Sequence, residues 1–299
     1  MNNIAILGTT GMLGSTLTRF LSSNDFIVTE FNRAGIPVVK GNSAHKLNIE
    51  NIECDLNSTF QGKNFEYIIN AVGMIRQKIN IKSIDSTNTA FTINASFPLL
   101  LNTFSKNSGI RIIQIGTDCV YSGKLGKYSE EDNFDPTDVY GKSKLAGEQN
   151  STELMTIRTS IIGTELSSTK SLIGWVLSQE NNAVIKGFVN HLWNGVSTLD
   201  FARIVSGIVK NNFYEPGTSH LVPADQVNKF ELVKAIASSF KRFDLEVVEF
   251  HEEISVDRTL TTVNSMRNAR FWNMAGYNEI PTIAEMVSNY AKWSSQYSN

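Results

Sequence analysis

The chain has 299 residues, a formal net charge of -2, 41% hydrophobic and 19% charged residues, an ordinary globular balance. Near-neutral charge leaves no basic footprint for nucleic acid, and two cysteines, Cys54 and Cys119, without a C-x-x-C pair argue against a disulfide scaffold or a zinc site. No apolar run reaches membrane-spanning length, and the amino terminus enters a strand with no basic region or cleavage site, so a soluble, cytoplasmic protein is expected.

In chain order, residues 3–7 are a short apolar run that reads as a buried strand. Gly8-Thr9-Thr10-Gly11-Met12-Leu13-Gly14 follows, and then a helical pattern from Ser15. Strand, glycine turn and helix are the setting of a dinucleotide fingerprint, although the spacing is G-x-x-G-x-x-G. Glycines let the backbone approach a pyrophosphate, and the N–H groups of a helix start bind its charge. Residues 26–31 read as strand two. Asn32 and Arg33 follow it, where an acidic residue holds the ribose hydroxyls of NAD. A guanidinium there suits a 2'-phosphate, so NADP is favoured and NAD stays open. Glu30 is the carboxylate that reverses this preference if the register slips by a residue or more.

Residues 52–54 read as strand three, followed by Asp55 and Leu56, and residues 65–72 as strand four, ending in Ala71-Val72-Gly73. Residues 87–106 form one long amphipathic helix and residues 110–115 strand five, which leads to Thr117-Asp118. A helix over 137–149 carries Tyr140 and Lys144, and residues 154–157 are strand six. Four residues apart on a helix, a phenol and an ammonium share one face. The ammonium is expected to lower the phenol's pKa and tune it for proton transfer, and the Thr117 hydroxyl suits a carbonyl oxygen. Alternating strands and helices imply a parallel sheet covered on both faces, with ligands beyond the strand carboxyl ends. Gly8, Gly73 and Thr117 all fall at such ends. Beyond Gly163, helices are expected over 171–180, 199–210, 229–240 and 282–293, extended segments over 182–189 and 246–250, and a loop holding Trp193 over 190–197.

Gly8 to Gly14, Asn70-Ala71-Val72-Gly73, Asn94-Ala95-Ser96-Phe97-Pro98, Gly116-Thr117-Asp118-Cys119-Val120-Tyr121-Ser122-Gly123, the Tyr140 to Glu148 segment and Ile157-Arg158-Thr159-Ser160-Ile161-Ile162-Gly163 occur in the order of one family. They make the chain resemble the extended short-chain dehydrogenase/reductases, most of all the branch of dTDP-4-dehydrorhamnose reductase and its relatives. The resemblance covers the first half of the chain. It implies an α/β fold, a Rossmann-type doubly wound parallel sheet with a smaller C-terminal substrate-binding lobe. Residues 1–163 would bind NAD(P), and residues 164–299 would be mainly the substrate lobe, with some segments returning to the first domain.

The implied activity is NAD(P)H-dependent reduction of the 4-keto group of a nucleoside-diphosphate 4-keto-6-deoxy sugar, for surface-polysaccharide sugars. Thr117, Tyr140 and Lys144 would be catalytic. Gly8, Thr10, Gly11, Met12, Leu13, Gly14, Asn32, Arg33, Asp55, Leu56, Ala71, Val72, Gly73, Tyr140 and Lys144 would contact the cofactor. Asp118, Val120, Tyr121, Trp193, Asn194 and Arg258 would face the nucleotide-sugar substrate, with core packing the favoured reading for Val120. Asn94 and Arg158 are expected to be structural. No metal, nucleic acid or membrane is implied, and a homodimer is open. The same fold also serves reductases or epimerases of UDP-N-acetylamino sugars. Asp118 follows the threonine as a dehydratase requires, but Cys119-Val120-Tyr121 fits the reductase pattern better. A non-catalytic nucleotide-binding regulatory subunit is the alternative of another class, and the intact Thr117, Tyr140 and Lys144 argue against it.

Overall fold

The computed structural model describes residues 1–49, 56–60, 62–149 and 151–297. Its first half runs β1 (Asn3–Leu7), α1 (Met12–Ser22), β2 (Ile27–Asn32), β3 (Ser43–Lys46), α2 (Leu56–Phe60), β4 (Tyr67–Asn70), α3 (Ile84–Phe91), α4 (Phe97–Ser108), β5 (Arg111–Ile115), α5 (Val139–Gln149) and β6 (Met155–Arg158). Then come β7 (Ile161–Ile162), α6 (Leu172–Leu177), β8 (Val184–Phe188), β9 (His191–Trp193), β10 (Val196–Ser197), α7 (Thr198–Lys210) and β11 (Gly217–His220). The chain continues through β12 (Val227–Asn228), α8 (Lys229–Ser239), β13 (Glu246–Phe250), β14 (Val256–Asp257), α9 (Ser265–Met274) and α10 (Ile283–Ser294).

The main sheet is seven-stranded, in the order β11-β6-β5-β4-β1-β2-β3. Every pairing in it is parallel. Helices cover both faces, and alternation along β1 explains how. Ile4 and Ile6 pack with Leu13, Leu17 and Leu21 of α1 and with α7. Ala5 and Leu7 pack on the other face with Phe97, Leu101 and Phe104 of α4. Successive strands step outward in opposite directions from β1, so a crevice opens between the carboxyl ends of β1 and β4.

Several elements differ from the expectation. The expected strand at residues 52–54, with Asp55 after it, lies outside the described residues. The strand beside β2 is β3, whose Ser-Ala-His-Lys sequence carries no apolar run. The single helix expected over 87–106 is α3 and α4 joined by a π turn, Thr92–Ser96. Pro98, in the first turn of α4, has no N–H to give to the preceding turn, which favours such a break. The expected loop over 190–197 contains β9 and β10 instead, because β9 pairs with both β12 and β14. The sequence reading placed no strand at β11 and no helix at α9. Their apolar residues are too few or too dispersed to signal either.

β11 joins β6 at the sheet edge, and α7 packs on α1, with Thr16 and Thr198 hydroxyls 3.0 Å apart. The paired strands β8 and β13, the set β12-β9-β14, and α6 and α8 form a second layer of structure beside this sheet.

Candidate active site

The turn after β1 is built for close approach. Gly8 has φ +85°, a conformation that L side chains rarely adopt. Its N–H donates to Phe31 O at 2.8 Å, and Gly11 N–H donates to Gly8 O at 3.0 Å. A Cβ at Gly14 would collide with Gly8 O, so that glycine lets α1 pack on the strand end. Gly11 is different: its backbone is ordinary, and a Cβ there would find Gly8 O at 3.4 Å. Thr10 and Gly11 are exposed, Met12 is half-buried, and the Leu13 side chain lies in the core. Ala71 and Val72 lie against Gly8, with Ala71 O 3.1 Å from where its Cβ would stand, so the two loops share one edge. Gly73 is exposed.

β2 ends where the register requires. Glu30 is fully buried and accepts from Val38 N at 2.8 Å, Val39 N at 3.1 Å and Asn42 Nδ2 at 3.1 Å. That carboxylate is committed to its own loop. Asn32 is also consumed locally, donating to Thr9 Oγ1 at 2.9 Å and Ile36 O at 2.8 Å and accepting from Gly35 N at 2.9 Å. Arg33, the next residue, is exposed at the rim. Asp55 lies outside the described residues, and the Leu56 side chain is in the core.

Thr117, Tyr140 and Lys144 meet at the carboxyl end of β5. Thr117 is 5% exposed, accepts from Cys119 N at 3.2 Å and approaches Asp118 Oδ1 at 3.3 Å. Its hydroxyl acts on the Tyr140 phenol. Lys144 is buried and donates to Ile115 O at 2.9 Å. Two glycines bring α5 this close. A Cβ at Gly141 would strike Cys119 O, and one at Gly147 would strike Asn94 O in the π turn. Asn94 links that turn to the site region: its amide donates to Met74 O at 2.9 Å and Ser143 Oγ at 3.0 Å and accepts from Met74 N at 2.9 Å. Every polar atom of Asn94 is thus used in holding loops together, in line with a structural part.

The electrostatics correct one expectation. The phenol was expected to be lowered by its lysine neighbour. Burial instead raises Tyr140 well above the ordinary tyrosine value, with the Thr117 hydroxyl acting in the opposite sense. Burial lowers Lys144, and Glu148 offsets part of that. The ammonium is turned to the Ile115 carbonyl, so its proximity along the helix does not decide the phenol.

Behind Thr117 stands a buried ion pair that the sequence reading did not assign to the site. Glu148 accepts from Thr117 N at 3.2 Å and from Arg158 Nη2 and Nε at 2.9 and 3.1 Å. Arg158 also donates to Tyr121 OH at 3.1 Å and meets His220 Nε2 at 2.9 Å. The pair is at most 2% exposed. Removing one partner strands the other charge, which costs about 3–5 kcal/mol. Glu148→Gln is therefore expected to lose roughly that much stability in urea unfolding monitored by circular dichroism. A loss below about 1 kcal/mol would show that the pair does not anchor this corner.

The residues expected to face a substrate separate into two groups. Asp118 stays at the site, 9% exposed, beside Thr117. Arg258 reaches the same place, donating to Tyr121 O at 2.9 Å and acting on Cys119. Val120 and Tyr121 are a correction as substrate contacts: both are fully buried, Val120 in the core packing favoured for it, and Tyr121 stacked on Tyr128 at 4.3 Å and donating to Ser129 O at 2.7 Å. They offer no surface to a ligand. Asn194 is a second correction, since its amide spends both ends on Leu260 O and N at 2.7 and 2.8 Å. Trp193, in β9 rather than a loop, is 4% exposed and carries the Lys229 ammonium 5.2 Å above its ring centre.

Lys229 was missed. The signal was available in Asn228-Lys229-Phe230-Glu231, a capped helix start with a cation where the helix dipole favours an anion. Lys229 also lines a groove of about 750 Å³ with Lys186, His191 and the rings of Trp175, Phe188 and Phe250. Another hollow of about 990 Å³, over residues 277–292, is lined by none of the expected site residues. Among the described residues no group of three or more His, Cys, Asp or Glu is placed to hold a metal ion.

A parallel sheet in this order, with phenol, ammonium and hydroxyl gathered at the carboxyl end of β5 next to a glycine turn, places the molecule among the NAD(P)-dependent short-chain dehydrogenase/reductases, a class of oxidoreductases that uses a nicotinamide cofactor. Within that class, the family model described as the RmlD substrate binding domain matches residues 1–292, and the chain belongs to this family.

Known relatives and structures agree on the fold. The dTDP-4-dehydrorhamnose reductase of Bacillus anthracis str. Ames, solved in complex with NADP, superposes with a TM-score of 0.76 at 21% identity, covering 98% of this chain and 100% of that one. The dTDP-4-dehydrorhamnose reductase of Mycobacterium tuberculosis is 38% identical over 65 residues, 20% of this chain and 21% of the relative. Methionine adenosyltransferase 2 subunit beta of Danio rerio is 24% identical over 255 residues, 79% of this chain and 73% of the relative. The same-named subunit of Rattus norvegicus is 28% identical over 44% of this chain, which spans only 42% of that relative.

Proposed function

We propose that the protein reduces the 4-keto group of a nucleoside-diphosphate 4-keto-6-deoxy sugar with NADPH, a step in making sugars for surface polysaccharides. The observation that carries this reading is the meeting of Thr117, Tyr140 and Lys144 at the carboxyl end of β5, at the same sheet edge as the glycine turn.

The residues present fit a dinucleotide. Gly8 and Gly14 keep the turn free of side chains, Gly11 is exposed, and the first N–H groups of α1 follow it. Residues 8–14 and 71–73 would hold the cofactor, with Arg33 at its adenosine end. When bound, the nicotinamide supplies hydride to the ketone carbon. Thr117 would donate a hydrogen bond to the ketone oxygen. Tyr140, kept protonated by its burial, would give that oxygen its proton. Lys144, anchored on Ile115 O, would hold ribose hydroxyls and supply positive charge near the developing oxyanion. Glu148 fixes the Thr117 main chain from behind. Residues 164–299 would mainly take the substrate, with β11 and α7 serving the first domain. The groove lined by Trp175, Phe188 and Phe250 suits a flat nucleoside base.

Arg33 is the basis for preferring NADPH, since the nearby Glu30 carboxylate is already spent on residues 38, 39 and 42. A charged hydrogen bond contributes about 1.5–3 kcal/mol, roughly tenfold or somewhat more in affinity. Arg33→Ala is therefore expected to bring the NADPH and NADH dissociation constants together. Equal affinities already in wild type, or tighter NADH, would defeat the preference.

The reading as a whole is tested by offering the purified protein NADPH and a panel of dTDP- and UDP-linked 4-keto sugars, with products followed by mass spectrometry. A nucleotide-binding subunit is the second reading, favoured by the match to a protein named as a subunit of methionine adenosyltransferase. Binding of NADPH with no reduction of any panel member would favour that alternative. Among the described residues no helix is long and apolar enough to cross a membrane.

A further inference from the structure

Lys229 is a cation held in place without an anion of its own. It opens α8, yet the capping box there is closed by Asn228 and Glu231. The ammonium stands 5.2 Å above the centre of the Trp193 ring. That ring is fixed, because Trp193 is 4% exposed and the next residue clamps Leu260. Among the described residues the ion pairs run through Arg76, Arg158, Arg203, Arg242, Arg267 and His220, and none through Lys229. Burial pushes its ammonium down to about 8, and the nearby Asp118 and Cys119 restore only part of the loss. A desolvated charge that closes no ion pair is costly, and a ligand anion relieves that cost.

We propose that Lys229 binds the diphosphate of the substrate in the groove it lines with Lys186 and His191. The neighbours favour an anion of this kind. Lys186 and His191 line the same groove against a single carboxylate, Glu252. Asp118, which acts on Lys229, adjoins Thr117, so the charged and the reacting parts of one small sugar nucleotide fall on neighbouring residues. The assignment rests on the nucleotide-sugar reading for the identity of the anion, and it makes Lys229 a substrate-binding residue supplied by the C-terminal half.

The test is calorimetric titration of UDP and dTDP into wild type, Lys229→Met and Lys229→Arg. Wild type is expected to bind at least one of them. Lys229→Met should weaken that binding at least about tenfold, and Lys229→Arg should stay within about threefold. NADPH affinity should be the same in all. Wild-type affinity for the diphosphate should fall between pH 7 and pH 9 as the ammonium near 8 loses its proton, and Lys229→Met should lack that slope. A purely structural lysine would give no such difference in slope. Binding by Lys229→Met within about twofold of wild type, an identical pH slope, or no binding of either nucleotide to wild type would overturn the assignment. Diphosphate binding that depends on Lys229, together with no reduction of any 4-keto sugar, would sink the reductase reading and leave the assignment standing.

Discussion

Tyr140→Phe is expected to lower NADPH-dependent reduction of the sugar nucleotide by about 10²–10⁴-fold, the usual worth of a positioned general acid. The change removes only the phenol oxygen. The ring stays against the Thr117 loop, where Gly141 leaves no slack between α5 and Cys119 O. Cofactor affinity and unfolding midpoint should therefore stay near wild type. Because burial raises the phenol, the group is an acid across the neutral range, and the reductive direction should show no loss of rate from phenol ionisation there. Steady-state kinetics on both forms decides the matter. Activity in the mutant within about threefold of wild type would remove Tyr140 from the chemistry, being far short of that loss.

Gly11→Val is expected to abolish NADPH binding in calorimetric titration, a fall of at least about a hundredfold, or about 2.7 kcal/mol. The fold should survive, since a Cβ at Gly11 meets nothing nearer than Gly8 O at 3.4 Å and the backbone there suits any residue. The added methyls instead occupy the exposed face of the turn, where a pyrophosphate would lie. Gly14→Ala provides the contrast. Its Cβ would strike Gly8 O, so the expected damage is to folding, with the melting temperature falling. Unchanged NADPH affinity in Gly11→Val would make the turn structural only.

These outcomes trace which parts of the molecule were legible from its residues. The edge formed by Gly8, Ala71–Gly73 and Thr117 was legible because parallel strands bring their carboxyl ends together whatever the connections do. Tyr140 and Lys144 were legible by helical spacing, but their ionisation was not: it depends on burial and on the Ile115 carbonyl, which no local pattern encodes. Tyr121 and Asn194 misled because an aromatic ring and an amide look the same in sequence whether they meet a ligand or the Ser129 and Leu260 main chain. β3 and β11 were invisible because an edge strand of Ser, Ala, His, Lys, Gly and Thr takes its conformation from its neighbour. The Lys229 cation at a capped helix start was legible, but its place over the Trp193 ring was not, because that depends on how α8 docks.

The outermost strand has a consequence for how the chain folds and how it is cut. β11 hydrogen-bonds along β6 from Gly217 N to Leu154 O at 2.8 Å through Leu221 N to Arg158 O at 3.0 Å. A chain ending near residue 163 would leave β6 as a naked edge, with main-chain donors and acceptors open to pairing with other molecules. It would also uncover the α1 surface that α7 shields. During synthesis the nascent sheet waits for the distant segment at 217–220 to close that edge, a long-range contact that forms late. Residues 1–163 are therefore not expected to make a self-sufficient fragment, and a C-terminal truncation at that point invites aggregation.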